Sequence, residues 1–326
     1  MATDEAVTPT LLSTAAAGSD AWRADREFRV GGSEIAAILG LSPWASRFTL
    51  YAEKKGILPP REDTPETEWG RRHEHTVWDR LCEDEDPHGW GEHAPGLFAH
   101  PERPWQVGSP DGVLWDGNRG DTSPRMVEIK TAQRGEKWGP QGSDEFPVYY
   151  RTQLIWTMDV MGAREGILAV LIGLSDYRTY RISMDDQGVT DDLALMLEHG
   201  DRFVRALRSN DWPDPDDGSA ATYEALRTIH PEIEEGTQVE LSSDLADNLI
   251  ISKAALTVAE KDYTRARALV AAEMGTAQHA WSEGVHIATR YAKTAADGSP
   301  GRPYVEADRR QTNLKFKSIT EAMEEQ

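Results

Sequence analysis

The chain has 326 residues, a single cysteine and a formal net charge of −21. One cysteine excludes an internal disulfide and a cysteine-based zinc cluster, and no stretch approaches the roughly 18 continuous apolar residues of a membrane span. So negative a chain should bind nucleic acid weakly, unless basic groups or a metal concentrate positive charge in one cleft. We therefore expect a cytoplasmic protein without a membrane partner.

The N-terminal segment is low in complexity and lacks the basic start of a signal peptide, so residues 1–19 predict a flexible arm. Residues 20–30 predict a short helix and the segment that leaves it. Two glycines then interrupt the chain, and Ser33 is placed to cap the following helix, EIAAIL. Because a helix N-terminus is also a phosphate site, Ser33 has two interpretations, a plain N-cap or a phosphate ligand.

Two further helices are predicted over 46–55 and 68–82, separated by a loop. Glu74 falls on the apolar face of the second of these helices. That face is formed by Val77, Trp78 and Leu81. A carboxylate on such a face is costly to bury unless a cation or hydrogen bonds meet it. Glu74 is therefore either associated with a metal or a partly exposed residue at the edge of the stripe. Residues 83–104 predict a loop.

A β-hairpin is predicted between the sequences GSPDG and MVEIKTA, with Asp111 in the tight turn that precedes its first strand. Side chains alternate along a strand, so Glu128 and Lys130 share one face of the returning strand. The intervening Val127 and Ile129 face a core. The hairpin should therefore bring two carboxylates and one ammonium group into one small space.

This combination of groups suits metal-assisted hydrolysis of a phosphate ester. Carboxylate oxygens are preferred ligands of Mg²⁺ and Mn²⁺, and one or two such ions can activate water and polarise a phosphate. Lys130 can hold the attacking water or neutralise charge that develops on the phosphate. The alternative is a surface hairpin whose Glu128–Lys130 pair is only a solvated ion pair.

The following segment, 132–147, predicts a loop that offers DNA contacts through Arg134, Lys137 and Trp138. A helix is predicted over 147–161, and Gln153 is the polar member of its mostly aromatic and apolar face. One interpretation of Gln153 is a core amide with its hydrogen bonds satisfied. The next elements are strands over 166–173 and 180–184 and a helix over 189–208, and the proline-rich segment 212–218 marks a boundary.

Pro110-Asp111 followed by Glu128-Ile129-Lys130 resembles the PD-(D/E)XK nuclease signature. Three further motifs occur in the order found in the YqaJ / lambda-exonuclease branch of phage recombination nucleases. These motifs are GGSEIAAILGLSPWAS at 31–46, WGRRHE at 69–74 and YYRTQLIWTMDVMG at 149–162. The resemblance covers about residues 20–212 and does not extend to the last third of the chain.

The resemblance implies an α/β fold, a PD-(D/E)XK core with a mixed central sheet flanked by helices. It also implies a metal-dependent exonuclease that degrades one strand of duplex DNA from 5′ to 3′, with Mg²⁺ as cofactor and Mn²⁺ as a substitute. The product would be a 3′ single-stranded overhang. The substrate would be a double-stranded DNA end, and the partner a single-strand annealing protein of the same phage or prophage in a bacterial host.

The same resemblance assigns roles to individual residues. The implied catalytic residues are Glu74, Asp111, Glu128, Lys130 and Gln153. The implied metal ligands are Glu74, Asp111, Glu128 and the carbonyl of Ile129. The implied 5′-phosphate ligands are Arg26, Ser33 and Ser109, with Arg29 as the competing candidate for the arginine.

Four parts are expected along the chain. These are the flexible arm 1–19, the nuclease domain 20–212, a linker over 213–235 and a mainly helical C-terminal extension over 236–326. The extension begins with a long helix or helical hairpin over 243–280 and contains no predicted site residue, so we expect it to be dispensable for the chemistry. A homo-oligomer is compatible with the sequence.

Three other functions stay open at this point. The first is an endonuclease of the restriction or repair type from the same superfamily. The second is a module that binds DNA ends or a partner and keeps an idle site, although the complete set of site residues argues against it. The third, suggested by the negative charge, is a protein-binding decoy that resembles DNA in charge.

Overall fold

The computed structural model describes residues 8–15, 18–60, 63–117, 123–294, 300–308 and 319–324. The chain divides into two compact units. The first unit is Met1–Pro231 together with Lys315–Gln326, and the second is Glu232–Leu314. Every residue that the sequence predicts for the site lies in the first unit.

The strands of the first unit are β1 (Thr10–Ser13), β2 (Val30–Gly31), β3 (Glu92–His93), β4 (Leu97–Ala99), β5 (Gln106–Gly108), β6 (Gly112–Leu114), β7 (Arg125–Ala132), β8 (Glu165–Ile172) and β9 (Asp176–Ser183). Its helices are α1 (Asp20–Ala24), α2 (Gly32–Ile38), α3 (Arg47–Lys54), α4 (Pro65–Glu85), α5 (Val148–Met161), α6 (Gln187–Ser209) and α7 (Ala220–Ile229). The second unit contains α8 (Ser243–Met274), β10 (His279–Ser282), β11 (Val285–Thr294) and β12 (Pro300–Ala307). A last helix, α9 (Ile319–Glu324), returns to the first unit.

A five-stranded sheet in the order β3-β6-β7-β8-β9 forms the centre of the first unit. Strands β7 and β8 are parallel and the other neighbours are antiparallel, so the predicted mixed sheet is confirmed. The sequence explains both inner strands. Strand β8 is a nearly continuous apolar run, which is typical of a strand buried on both faces, and the middle of β7 alternates the apolar Val127 and Ile129 with the charged Glu128 and Lys130.

Helices cover both faces of this sheet, and residues of β7 alternate between them. On one face, α4 packs its apolar stripe on β7 and β8. That cluster consists of Val77, Trp78, Leu81, Leu114, Val127, Ile129, Ile167 and Ala169. On the other face, α5 packs in a larger cluster that includes Met126, Leu154, Ile155, Met158, Leu168 and Val170. Each fully buried aliphatic side chain contributes roughly 1.5–3 kcal/mol, so both helices are held firmly beside the strand that carries Glu128.

A smaller four-stranded sheet in the order β1-β4-β5-β2 is built from segments that precede residue 109. In it β2 pairs parallel with β5, which places Gly31 opposite Val107. Strand β5 then leads through Ser109 and Asp111 into β6, so the chain passes from one sheet to the other within this turn. The smaller sheet thereby brings the region around Arg26 next to the start of the hairpin.

Two expectations about irregular segments are wrong. Within the predicted flexible arm, Thr10–Ser13 forms β1, which pairs antiparallel with β4; residues 1–7, 16 and 17 lie outside the described residues. The predicted loop 83–104 contains β3 and β4. Both errors have one cause, because strands this short gain their order from partners that are distant in sequence and leave little local pattern.

The first unit extends past the boundary that the proline-rich segment suggests. Helix α7 occupies part of the predicted linker 213–235, and the Thr222 hydroxyl donates at 2.6 Å to Oγ of Ser46, the N-cap residue of α3. After the second unit, Ile319 of α9 is fully buried in the main core of the first unit. The predicted division at residue 212 therefore separates segments that pack together.

The second unit begins with the 32-residue helix α8, which confirms the predicted helical extension. The helix ends at Met274, because Gly275 adopts a positive φ of 53°, and it does not continue to residue 280. Strands β10, β11 and β12 follow as an antiparallel sheet, although the sequence of residues 281–292 predicts only a strand pair or a loop. The sequence also predicts a closing element over 309–319, and most of these residues lie outside the described part of the chain. No helix in the described part of the chain has the length and apolarity needed to cross a membrane.

Candidate active site

The site forms where β7 extends beyond the end of β6. The ladder between these strands ends with Gly112 opposite Val127. Beyond it, Asp111 Oδ2 accepts a hydrogen bond of 2.7 Å from the Ile129 N–H. The N–H and C=O of one strand residue lie on the same side of the strand, so the Ile129 carbonyl also faces the Asp111 side. The turn thus holds a carboxylate against the open edge of β7.

Gly112 permits this close approach. A Cβ at this position would lie 2.0 Å from a ring carbon of Trp78. The indole of Trp78 therefore packs directly on the backbone beside Asp111, and α4 can approach the sheet only because the residue after Asp111 is a glycine. The turn sequence SPDG is explained by this contact as well as by its turn propensity.

Glu128 is fully buried beneath α5 and bonds to two of the predicted catalytic residues. Its Oε1 accepts hydrogen bonds from Lys130 Nζ and, at 2.5 Å, from Gln153 Nε2. Its Oε2 is buried and has no hydrogen-bond partner within the described structure. Burial and the nearby Asp111 carboxylate raise the pKa of Glu128 to about 8, although Lys130 opposes this shift. One oxygen of this carboxylate is thus held by two hydrogen bonds, and the other has no hydrogen-bond partner among the described residues.

Lys130 completes the cluster on the same face of β7 as Glu128. Burial disfavours its charged form, but the carboxylates of Glu128 and Asp111 raise its pKa, so the ammonium stays charged. Its Nζ also lies 5.3 Å from the ring centroid of Tyr150, within the range of a cation–π contact. The structure therefore places a fixed positive charge between the strand and the first turn of α5.

Glu74 reaches the same region from α4, on the opposite side of the sheet from α5. Burial and the Asp111 carboxylate raise the pKa of Glu74 to about 7. Its Oε1 lies 3.2 Å from His93 Nε2, and burial followed by the nearby His75 lowers the pKa of His93. His93 is not predicted by the sequence, because β3 is only two residues long and its pairing with β6 leaves no local signal.

The arrangement of the predicted ligands fits a divalent metal ion in part. Glu128 Oε2 is a buried oxygen without a partner, and Asp111 and the Ile129 carbonyl share one edge of β7. Two carboxylates and a carbonyl are hard oxygen donors that suit Mg²⁺ or Mn²⁺. Among the described residues, however, no three His, Cys, Asp or Glu side chains are grouped so that they could hold a metal ion. A ligand set of Asp111, Glu128 and the Ile129 carbonyl is therefore better supported than one that includes Glu74.

The predicted phosphate ligand Arg26 lies in a buried network of charges. Its Nη2 is 3.0 Å from Glu34 Oε2, and Lys54 Nζ is 2.9 Å from Glu34 Oε1. Burial works against the charged form of Glu34, but Arg26 and Lys54 lower the pKa of its carboxyl group to about 2. The guanidinium also stacks 4.1 Å above the Trp22 ring. The Nε and Nη2 of Arg26 are buried and form no hydrogen bond among the described residues. Nη2 is held by its ion pair with Glu34, so Nε is the donor that stays without a partner.

The other two predicted phosphate ligands lie on segments that approach this network. Ser109 follows β5 directly, and its Oγ donates to the Gly96 carbonyl at 3.3 Å. Ser33 is exposed in the first turn of α2, where a Cβ on the preceding Gly32 would lie 3.0 Å from the Gln153 carbonyl. The start of α2 is thus packed beside Gln153. The competing candidate Arg29 instead donates from Nε to the Pro104 carbonyl at 3.1 Å.

Two predictions about single residues near the site are wrong. Ser33 does not cap α2, because the helix begins at Gly32, two residues earlier than predicted, with Gly31 as its N-cap. The carboxylate of Glu34 accepts from the Gly31 N–H at 2.8 Å instead, a contact that a glutamate three residues after a cap position could have indicated. Trp138 is not available to DNA, since it is buried in the main core and stacks on Tyr150. Arg134 and Lys137 are exposed.

Several known proteins are similar to parts of this chain. Residues 21–164 match the model of the YqaJ-like viral recombinase domain family. The uncharacterized protein YqaJ of Bacillus subtilis (strain 168) is 24% identical over 229 residues, which are 69% of this chain and 67% of that protein. A protein of African swine fever virus (strain Badajoz 1971 Vero-adapted) is 36% identical over 66 residues. That match covers 20% of this chain and only 18% of the viral protein.

Among solved structures, the alkaline exonuclease of Laribacter hongkongensis is similar to 59% of this chain, and the match covers 94% of that protein. The TM-score is 0.45 and the sequence identity is 20%. The family match includes Asp111, Glu128, Lys130 and Gln153, which the structure brings together at one edge of the sheet. Residues 21–164 of this chain are therefore similar to the YqaJ-like viral recombinase domain family.

Proposed function

We propose that this protein is a metal-dependent exonuclease that hydrolyses one strand of duplex DNA from the 5′ end. The family match supports a nuclease of the phage-recombination type, and nucleases of this kind generally use divalent metals. The observation that carries the proposal is the cluster at the open edge of β7. There Lys130 and Gln153 anchor one oxygen of Glu128, and its other oxygen is buried without a partner.

The residues of this cluster have different roles in the proposed reaction. Asp111, Glu128 and the Ile129 carbonyl would hold Mg²⁺ or Mn²⁺, with Glu74 as the nearest further carboxylate. The chemistry that such an ion supplies is polarisation of the scissile phosphate and activation of water. The charge of Lys130 stabilises the negative charge that builds up on the phosphate during hydrolysis. Gln153 orients Glu128 through its amide and would contact the reacting water.

Hydrolysis from a 5′ end would leave a 3′ single-stranded overhang. Such an overhang is the substrate of strand annealing, so we also propose a single-strand annealing protein as the functional partner. Arg26, Ser33 and Ser109 would bind the terminal phosphate, and the free Nε of Arg26 is the donor that supports this role.

Linear and closed circular DNA distinguish this activity from its alternatives. We expect the full-length protein with Mg²⁺ to degrade an end-labelled linear duplex and to leave covalently closed plasmid intact, and a chelator should stop the reaction. Cleavage of the closed plasmid would indicate an endonuclease instead. Binding to linear ends without any hydrolysis in Mg²⁺ or Mn²⁺ would indicate a DNA-end-binding module.

The 5′-phosphate pocket predicts a preference between DNA ends. We expect initiation on a 5′-phosphorylated duplex to be faster than on a 5′-hydroxyl duplex by roughly tenfold to a hundredfold, the value of one charge-assisted bidentate contact. Arg26→Ala should abolish this preference, because it removes the guanidinium. Arg29→Ala is the matched control and should keep it. Equal rates of the wild-type protein on the two ends would contradict the pocket assignment.

A further inference from the structure

Helix α8 leaves a long apolar stripe uncovered in the second unit. The sheet β10–β12 packs only on the C-terminal end of α8, where Met274 is buried and Val270 and Ala271 are partly covered. Towards the N-terminus, Leu249, Leu256 and Tyr263 are 67%, 50% and 49% exposed. These large apolar side chains recur every seven residues, so they form one continuous line along the helix. A stripe of this length is typical of an interface rather than of a free surface.

A second line of residues runs beside the first and consists of small side chains. Its members are Ser252, Ala259 and Ala266, which also recur every seven residues. The two lines alternate at intervals of three and four residues, which is the a/d pattern of a coiled-coil seam. One of the two lines of this seam therefore carries large side chains, and the other carries small ones.

We propose that α8 pairs in an antiparallel orientation with α8 of a second copy of this chain. In an antiparallel pair each a residue faces a d residue of the other helix. A two-fold axis between Thr257 and Val258 then sets Leu256 against Ala259 of the second copy. By the same register, each large residue meets a small one. The layers are Leu249 with Ala266, Tyr263 with Ser252 and Leu256 with Ala259, each formed twice by symmetry.

The sizes of these residues favour the antiparallel orientation over the parallel one. In a parallel pair each residue faces its own copy, so layers of two large side chains would alternate with layers of two small ones. The layers of Ser252, Ala259 and Ala266 would then leave gaps, and unfilled space in an apolar interface is destabilising. The antiparallel register fills every layer with one large and one small side chain.

The charges beside the seam are complementary in the same register. Lys253 and Glu260 flank it on the same side, and neither forms an ion pair within the described part of the chain. The antiparallel register brings Lys253 towards Glu260 of the second copy, and symmetry repeats the pair. A parallel register would instead set Asp262 towards Arg267. Asp262 already pairs with Arg265 at 2.6 Å, and Arg267 Nε already donates to the Val305 carbonyl at 2.8 Å.

The mass of the full-length protein in solution tests the pairing. We expect a dimer by sedimentation equilibrium, and Leu256→Lys should raise its dissociation constant by roughly tenfold or more, since it places a charge in an apolar layer. Val258→Lys is the matched control. Val258 lies about 200° around the helix from Leu256 and is 59% exposed, so this variant should dimerise like the wild type. A monomeric wild-type protein, or equal effects of the two variants, would overturn the proposal.

A charge exchange tests the register. Lys253→Glu alone should weaken the dimer, because it sets two pairs of glutamates against each other. Lys253→Glu combined with Glu260→Lys should restore wild-type affinity, because the pairs re-form with their signs exchanged. Failure of the double variant to recover would contradict the proposed contact.

Cysteine cross-linking tests the orientation in a Cys82→Ser background, which removes the only native cysteine. Chains with Leu249→Cys and chains with Ala266→Cys should form a disulfide dimer when they are mixed, and neither should cross-link with itself. The antiparallel register predicts this result, because it sets position 249 opposite position 266. Self-cross-linking of each variant alone would show a parallel pair and would overturn the proposal.

Discussion

Lys130→Ala is expected to lower the rate of DNA hydrolysis by about a thousandfold or more, which is the scale of losing a group that stabilises transition-state charge. Lys130 is the cation on the reacting face of β7, and its Nζ bonds to the same carboxylate oxygen that Gln153 anchors. The protein should stay folded, because burial and Asp111 already raise the pKa of Glu128, and removal of the opposing Lys130 charge shifts this carboxyl group further towards its neutral form. Duplex binding should change little.

Single-turnover cleavage of a labelled duplex, with binding measured separately by fluorescence anisotropy, checks this expectation. Lys137→Ala is the matched control, since Lys137 is an exposed lysine on the neighbouring loop. Lys130→Arg retains the charge but changes its position, so it should restore thermal stability more than it restores turnover. Near-normal turnover of Lys130→Ala would contradict the catalytic role of this residue.

The parts of the site that the sequence predicted are those encoded by local periodicity. Strand β7 had to place Glu128 and Lys130 on one face, because strand geometry allows no other arrangement of residues i and i+2. The 3.6-residue period of α4 placed Glu74 near its apolar stripe. These periodicities act over a few residues and can be read without knowing the fold.

The parts that sequence reasoning missed depend on pairs of distant segments. His93 approaches Glu74 only because a two-residue strand pairs with β6. Trp138 is buried because the main core closes over a loop that is polar in composition. Glu34 gains its two cationic partners from Arg26 and from Lys54, twenty residues later in the chain. A single sequence carries no signal for such contacts, because each depends on the fold that surrounds it.

The predicted domain boundary also differs from the structure because of a contact between distant segments. The proline-rich segment after α6 is a genuine break in the helix, but α9 returns across more than a hundred residues to the first unit. Asp192 of α6 binds the start of α9, because the Oδ1 of Asp192 accepts a hydrogen bond from the Ile319 N–H at 2.9 Å. Its Oδ2 accepts from Arg151 Nε, also at 2.9 Å, so one buried carboxylate joins α5, α6 and α9.

Asp192→Ala is therefore expected to destabilise the first unit by about 3–5 kcal/mol, the cost of removing one partner of a buried ion pair. The variant leaves the buried Arg151 guanidinium without its carboxylate and the first N–H of α9 without its acceptor. Asp191→Ala is the matched control, because Asp191 is exposed on the same helix, and its loss should change stability by less than about 0.5 kcal/mol. Urea unfolding, followed by the fluorescence of the tryptophans, measures both.

A chain that ends after residue 231 tests whether the return of α9 matters to the fold. It loses the fully buried Ile319, and the loss of such a side chain costs about 2–5 kcal/mol. This truncated chain should therefore unfold at lower urea than the full-length protein, by a margin close to that of Asp192→Ala. Adding Asp192→Ala to the truncated chain should cost less than it does in the full-length protein, because one of the two hydrogen bonds is already absent. If truncation left the urea midpoint of the first unit unchanged, α9 would not stabilise this unit, and the division at residue 212 would describe its folding better.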